Sequence, residues 1–363
     1  MKSLDSRFRF KLIALFILIG MVLSIVIVSN DTIWIEENYS KHYFVLLAQC
    51  QRMITGKLPF SIGDLLYGLV VFYLIIILIR FIKKIFKRQL LKQELKSIFI
   101  DSLLMICVVY IVFNLFWGLN YNRRGIASQL NIEVGNYSVS DLINLNKVLV
   151  ADLNASREIL NHSLFYNKKD QVIFHETQLA YENVGKKYTF LKYDHPSVKK
   201  SMWGWFGNYA GFTGYYNPFT GEAQVNTSIP VFLQPFVCCH EMAHQLGYAK
   251  EKEANFVAYL TALHSTDTLL KYSAYFEMFL YANRNLQNVD SVTAKSYRNK
   301  LSDKVKSDIR QLVLFQKKHR SPIEPVVSTF YEFFLRNNQQ PNGLQSYDEV
   351  VGLLIAYHNK YPK

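Results

Sequence analysis

The chain is expected to be mainly α-helical: three N-terminal transmembrane helices, then an α-rich (α+β) extracytoplasmic domain with one small β-hairpin. Three observations predict this. Long uncharged apolar runs are confined to the first third of the 363 residues. The remaining two thirds show helical periodicity, apart from one stretch rich in Gly, Tyr, Thr and Asn. Directly after that stretch, Pro235 and Gly247 bracket a short helix-like segment.

The apolar runs come first. Residues 12–30, 65–79 and 102–122 carry no charge. A spanning helix needs roughly 20 apolar residues. The first and third runs are long enough alone. The second reaches that length with Phe81 and Ile82, because Arg80 can extend its charged head to the interface. Spans are therefore expected at about 12–30, 62–82 and 100–121. The third ends in Phe113, Phe116, Trp117 and Tyr121, an aromatic belt.

Charge sets the expected orientation. Lys2, Arg7, Arg9 and Lys11 oppose Asp5 before the first span. Arg80, Lys83, Lys84, Lys87, Arg88, Lys92 and Lys96 oppose Glu94 between the second and third. The connection between the first two spans is balanced. Excess Lys and Arg mark the cytoplasmic side, so the N-terminus and the basic loop 83–97 are expected inside a bacterial cytoplasmic (inner) membrane. The domain after the third span then lies outside. This divides the chain into a membrane anchor, 1–122, and an extracytoplasmic domain, 123–363. These basic segments face membrane lipids, so the net charge of +13 calls for no nucleic acid. No small-residue cleavage site follows the first span, which reads as a retained anchor. Asp64 and Asp101 fall at membrane ends and read as interfacial.

Cys50, Cys107, Cys238 and Cys239 have no disulfide-framework spacing. The adjacent pair reads as small buried apolar residues.

In the outer domain, Ser140 and Asp141 open an amphipathic helix, and "VIFHETQLAYENVGKKY" reads as another. "GNYAGFTGYYNPFTGEAQVNTSIP" reads as a hairpin, with strands at 209–216 and 222–226 turning at Asn217-Pro218. Helices are expected at about 251–265, 268–286, 292–318, 325–337 and 346–358.

The chemistry lies in "CCHEMAHQLGYAKEKEANF". Pro235 suits a first helical turn and Gly247 a position just past a helix end. Between them, His240 and His244 share one face at i and i+4, which lets both imidazoles reach one tetrahedral Zn2+. Glu241 is placed to act as general base on a water at such a site. A third ligand must follow, with Glu251, Glu253 and His264 as candidates. Glu251 comes about one turn after the reversal at Gly247, and His264 lies several turns away. At about 100° per residue, Glu251 shares a face with Ala254, Asn255 and Ala258, whereas Glu253 points away. The metal set is therefore His240, His244 and Glu251, with Glu253 as the alternative third ligand. Asn255 can hold a ligating imidazole from behind.

His240-Glu241-x-x-His244 followed by Glu251-x-x-Ala254-Asn255 resembles the gluzincin metallopeptidases. Their third ligand is the glutamate of an E-x-x-A-[D/N] element on a later helix. The resemblance implies a zinc metallopeptidase with Glu251 as that ligand and Asn255 behind it, although the six residues between His244 and Glu251 form a shorter connection than those families have. His244 to Gly247 is also similar to the metzincin turn, but Lys250 stands where the third histidine would fall. Along its length the chain resembles an uncharacterised bacterial membrane family, domain of unknown function 3810 (DUF3810). The resemblance is carried by "PFSIGDLLYG", "FWGLNYNRRG", "GYYNPFTGEAQVN", "EKEANFVAYL" and "NNQQPNGLQSYDEVVGLLIAY", and it implies no substrate.

The expected function is zinc-dependent hydrolysis of peptide bonds outside the cytoplasm. The alternatives are a cell-wall amide hydrolase and a non-catalytic, zinc-containing, membrane-tethered binding or signalling module. Three spans without a repeat argue against a transporter. Ala223, Gln224, Val225 and Asn226 are the expected substrate strand, by β-augmentation at a sheet edge. Tyr216, Tyr248, Tyr347 and His358 are candidate oxyanion donors, with Tyr347, in the last outer loop, as the working assignment. His175 and His195 read as surface or capping residues.

Overall fold

A computed structural model describes residues 6–87, 92–161 and 168–362. Lys2, Asp5 and Arg88, counted among the orienting charges, lie outside these. The helices used below are α1 (Ser6–Ser29), α2 (Phe44–Thr55), α3 (Ile62–Phe86), α4 (Lys92–Phe116), α5 (Gly125–Gln129), α6 (Val139–Ile159), α7 (Asp170–Lys187), α8 (Gly204–Ala210), α9 (Gln234–Gln245), α10 (Glu251–Leu263), α11 (Thr268–Val289), α12 (Ser291–Asn299), α13 (Asp303–His319), α14 (Ile323–Asn337) and α15 (Val350–Lys360). The strands are β1 (Val198–Lys200), β2 (Gly214–Asn217) and β3 (Glu222–Val225). The protein is mainly helical, as its periodicity predicts.

The chain forms two compact units, Met1–Phe44 with Ile62–Arg123, and Val45–Ser61 with Arg124–Lys363. In the first, α1, α3 and most of α4 are long and apolar enough to cross a membrane and anchor the chain there. Lys11 pairs with Asp101 at 2.7 Å, on half-exposed and exposed side chains. The stretch after α1 is helical and includes a π-helix, Ile35–Tyr43. It buries Glu36, which pairs with Arg123 at 3.0 Å. A buried pair of this kind costs several kcal/mol when one partner is removed. Asp64, read as interfacial, is fully buried in the first turn of α3.

The second unit holds the motif helices. Its Val45–Ser61 segment, from the connection between the first two spans, is structural here. Arg52 Nη1 donates to the Gln245 carbonyl at 2.8 Å, and its guanidinium lies over the Tyr193 ring. Gln51 donates to the Pro218 carbonyl at 3.0 Å. α9 and α10 are almost wholly buried, packed among α7, α11 and the sheet. Cys238 and Cys239 are fully buried, and all four cysteines are free.

Several boundaries differ from the sequence reading. α6 starts earlier, at a capping box in which Ser138 and Asp141 satisfy each other's backbone N–H, so the cap is Ser138 rather than Ser140. The expected helix 292–318 breaks into α12 and α13, where Ser302 caps the second. Tyr347 ends a 3-10 turn, Gly343–Tyr347, ahead of α15. The first hairpin strand begins only at Gly214, because 204–210 is helical and Gly211 turns the chain at φ 84°.

The largest correction concerns the sheet. Its order is β1-β3-β2, with β1 parallel and β2 antiparallel to β3. The segment Ala223, Gln224, Val225 and Asn226 is therefore not a free edge. Both sides of β3 are occupied, Val198 pairs with Ala223 and Tyr216 faces it from the other side, and β3 is entirely buried. No substrate backbone can add to a strand that already has two neighbours. The strand next to α9 with an outer edge is β2.

Candidate metal centre

α9 is fixed at both ends. Pro235 enters at its first turn, and the Phe236 N–H donates to Ser273 Oγ of α11 at 3.0 Å. At the other end Gln245 is gripped by Tyr193 Oη at 2.5 Å and donates to the Ser197 carbonyl at 3.0 Å. Gly247, at φ 82°, reverses the chain in a backbone region that a side chain would strain. α10 then starts at Glu251, whose N–H donates to Gln340 Oε1 at 2.9 Å.

This reversal brings His240, His244 and Glu251 together. His240 Nε2 lies 3.1 Å from His244 Nε2 and 3.1 Å from Glu251 Oε2, and His244 Nε2 lies 3.6 Å from Glu251 Oε2. Among the described residues these three form the His/Cys/Asp/Glu group able to hold a metal ion. Ligand atoms at the usual 2.0–2.1 Å from a tetrahedral Zn2+ lie about 3.3 Å apart, which is close to the spacing found.

The hydrogen bonds show how these atoms could share a cation. His244 Nδ1 faces the Tyr248 carbonyl at 2.7 Å and must donate to it. His240 Nδ1 faces Asn255 Oδ1 at 2.8 Å. In the neutral rings each Nε2 then carries a lone pair, and Glu251 Oε2 is left without a donor. Three lone-pair atoms in a buried site repel one another unless positive charge sits between them. The residues thus fit a zinc ion. Burial opposes ionisation of Glu251, but the contacts from His240 and His244 outweigh it and hold the carboxyl well below the usual carboxylate range. Burial likewise opposes charge on His244, but Glu251 overrides it and raises that imidazole.

Glu241 lies beside this cluster and is 5% exposed. A Cβ at Gly214 would fall 2.7 Å from its Oε1, so the strand β2 approaches this closely only through a glycine. Burial pushes the Glu241 carboxyl up to about 7, with His240 and His244 acting the other way. Its Oε2 is buried without a hydrogen-bond partner.

Other residues fall apart from one another. Glu253 turns toward α5, where a Cβ at Gly125 would meet its Oε1 at 1.9 Å. His264 Nδ1 binds the Leu260 carbonyl. Tyr248 Oη donates to Gln129, and His358 binds Tyr259, so neither points at the cluster. Tyr347 does reach it, stacking on His240 at 6.2 Å and 11°, and the Tyr216 ring lies 6.5 Å from that of His244.

Two contributors escaped the sequence reading. Tyr331 of α14 donates to Glu251 Oε1 at 2.6 Å, and its oxygen lies 3.2 Å from that of Tyr347. Burial pushes the carboxyl of Glu277 of α11, one turn beyond the Ser273 contact, up to about 7, with Arg284 and then His240 acting the other way. Tyr331 sits in an apolar helix pattern and Glu277 in an ordinary amphipathic one, so neither carries a local signal.

A family model described as a protein of unknown function, DUF3810, matches residues 39–355. The chain belongs to this family. No curated protein and no solved structure matches it. The match in this DUF3810 chain takes in α9, α10, Tyr331 and Tyr347, so the whole cluster lies inside the family region. One prediction follows for the group behind His240. Asn255→Ala leaves Nδ1 of that ring without its acceptor, and zinc affinity is expected to fall about 10–100-fold, as read by competition with a chelating dye. Unchanged affinity would show that Asn255 does not orient the ring.

Proposed function

We propose that this DUF3810 protein is a membrane-anchored, zinc-dependent metallopeptidase-like hydrolase acting on peptide bonds outside the cytoplasm. The observation that carries this reading is the convergence of His240, His244 and Glu251 with the buried Glu241 carboxylate beside them, whose Oε2 has no hydrogen-bond partner. A purely structural site has no use for that buried fourth group, which costs stability where it stands. The excess of Lys and Arg at the N-terminal end of α1 and around the connection from α3 to α4 supports an inner-membrane location with the second unit outside.

When bound, zinc would polarise a scissile carbonyl and acidify water. Glu241 would accept the proton from the attacking water and pass it to the leaving amine. His240 and His244 would stay neutral, their Nδ1–H groups tied to Asn255 and Tyr248. Tyr331 would steady Glu251 through its second oxygen. Tyr347, whose ring stacks on His240, is the candidate to donate to a developing oxyanion. An extended peptide would add to the outer edge of β2, whose Gly214 borders Glu241. Cell-wall amide hydrolysis would use the same groups.

One observation favours the alternative of a non-catalytic zinc module. His240, His244 and Glu241 are only 5–7% exposed, with Tyr331 and Tyr347 over the cluster.

The two readings separate in one experiment on the full chain purified in detergent, measuring zinc per chain and cleavage of a fluorogenic peptide library. The hydrolase reading expects one zinc and turnover that chelation removes and zinc restores. Zinc without turnover of peptides or cell-wall amides would leave the binding module. Tyr347→Phe is expected to lower turnover by about 10²-fold, the scale of one lost oxyanion donor, while zinc content holds. Unchanged turnover would remove Tyr347 from the site.

A further inference from the structure

The outer face of α14 is apolar and uncovered. Ile323, Val326, Phe330 and Phe333 are 43%, 54%, 72% and 69% exposed. At about 100° per residue they occupy one arc of roughly 80°. Leu335 and Tyr331 turn away from this arc, Leu335 being fully buried and Tyr331 reaching Glu251. Glu332 lies on the opposite side and pairs with Arg336.

α13 continues the pattern. Val313 and Leu314 are exposed between Arg310, Lys317 and Lys318, and Arg320 follows. From 309 to 323 there is no carboxylate. Asp308, just before, is fully buried and bound to Arg157. The third piece is the segment around α8, where Met202, Trp203 and Trp205 are exposed. α8 packs on both helices. Ser321 Oγ donates to the Tyr209 carbonyl at 2.7 Å, and the Tyr209 ring meets His319 edge-on. The three segments therefore adjoin one another, each exposing Trp, Phe, Met or branched aliphatics, with Arg310, Lys317, Lys318 and Arg320 on and just after α13 and one carboxylate, Glu324, where α14 meets the α8 segment.

We propose that α13, α14 and the α8 segment form a lipid-docking face that seats on an anionic bilayer surface. Charge decides the occupant. An amphipathic element that lies in a headgroup layer carries Trp, Phe and Leu on its apolar side, with Lys and Arg beside them. Arg310, Lys317, Lys318 and Arg320 would meet lipid phosphates while Phe330 and Phe333 enter the acyl boundary. The membrane anchors raise the local lipid concentration, so a face too weak to bind from solution can still dock. The proposal is independent of the hydrolase reading.

The test uses the full chain in vesicles of phosphatidylcholine with or without phosphatidylglycerol. Exposed Cys50 and half-buried Cys107 are changed to Ser, and a polarity-sensitive probe is attached at Phe330→Cys or at Val292→Cys on α12 as the control. Val292 is 78% exposed. Nitroxide-bearing lipids should quench the probe at 330 several-fold more than at 292. The difference should grow with phosphatidylglycerol and shrink in Lys317→Gln/Lys318→Gln. Three results would overturn the proposal: equal quenching at 330 and 292, quenching at 330 indifferent to both anionic lipid and the lysines, or protection at 330 that rises with protein concentration without lipid quenching. The last would assign the face to a second copy of the chain.

Discussion

Glu241→Gln is expected to lower peptide hydrolysis by about 10²- to 10⁴-fold, the span of a lost general base, while zinc per chain stays as in the wild type. The amide has nearly the carboxylate's shape, so it fits beside Gly214 as the carboxylate does. It cannot accept and return a proton. The wild-type carboxyl is buried and its Oε2 has no hydrogen-bond partner, so the substitution breaks no hydrogen bond at that oxygen. The folded protein should therefore be at least as resistant to heat as the wild type. The useful comparison is three-way: turnover, zinc and melting temperature on one preparation. Loss of turnover with zinc and stability intact assigns the proton transfer to Glu241. Loss of zinc as well would mean that Glu241 helps to hold the metal. Full turnover would refute the mechanism.

The part of this centre that was legible in the sequence is the part built by local geometry. His240 and His244 are one turn apart on α9, Gly247 sits at the reversal, and helical phase brings Asn255 back under His240 once Glu251 is a ligand. Each relation spans at most 15 residues and follows from 3.6 residues per turn. The membrane anchors were legible for a similar reason, since a span is written in one continuous run. What was hidden depends on contacts between distant segments. β1 is three residues long and reaches β3 across a helix and a hairpin, and a run that short has no period to read. Without β1, β3 looks like an edge, and residues 223–226 look like a substrate strand. Tyr331 comes from 80 residues beyond Glu251, and the pattern of α14 advertises its apolar arc. The Val45–Ser61 segment read as a balanced connection between spans, because nothing local tells that Arg52 reaches the carbonyl of Gln245.

The second large effect separates the two glutamates of α10. Glu251→Gln is expected to weaken zinc binding by more than about 100-fold, beyond the 10–100-fold typical of a group behind a ligand. Glu253→Gln is expected to leave the affinity unchanged. The carboxylate is the anionic member of the proposed ligand set, so its amide leaves two neutral imidazoles to hold a dication. Tyr331 can still donate to the amide oxygen, so the side chain need not move, and the loss would report charge rather than collapse. Glu253 belongs to a different contact: it packs against Gly125, at φ 77°, on α5. Its replacement should be felt in the melting temperature of the metal-free protein instead. Zinc titration of the two variants with a competing dye, alongside their melting curves, gives four readings that must agree. Glu253→Gln losing zinc while Glu251→Gln keeps it would reverse the assignment and require α10 to rotate by nearly half a turn. That rotation would also pull Asn255 off His240, so the Asn255→Ala variant would then bind zinc as tightly as the wild type. The ligand, the orienting residue and the helix phase therefore stand or fall together.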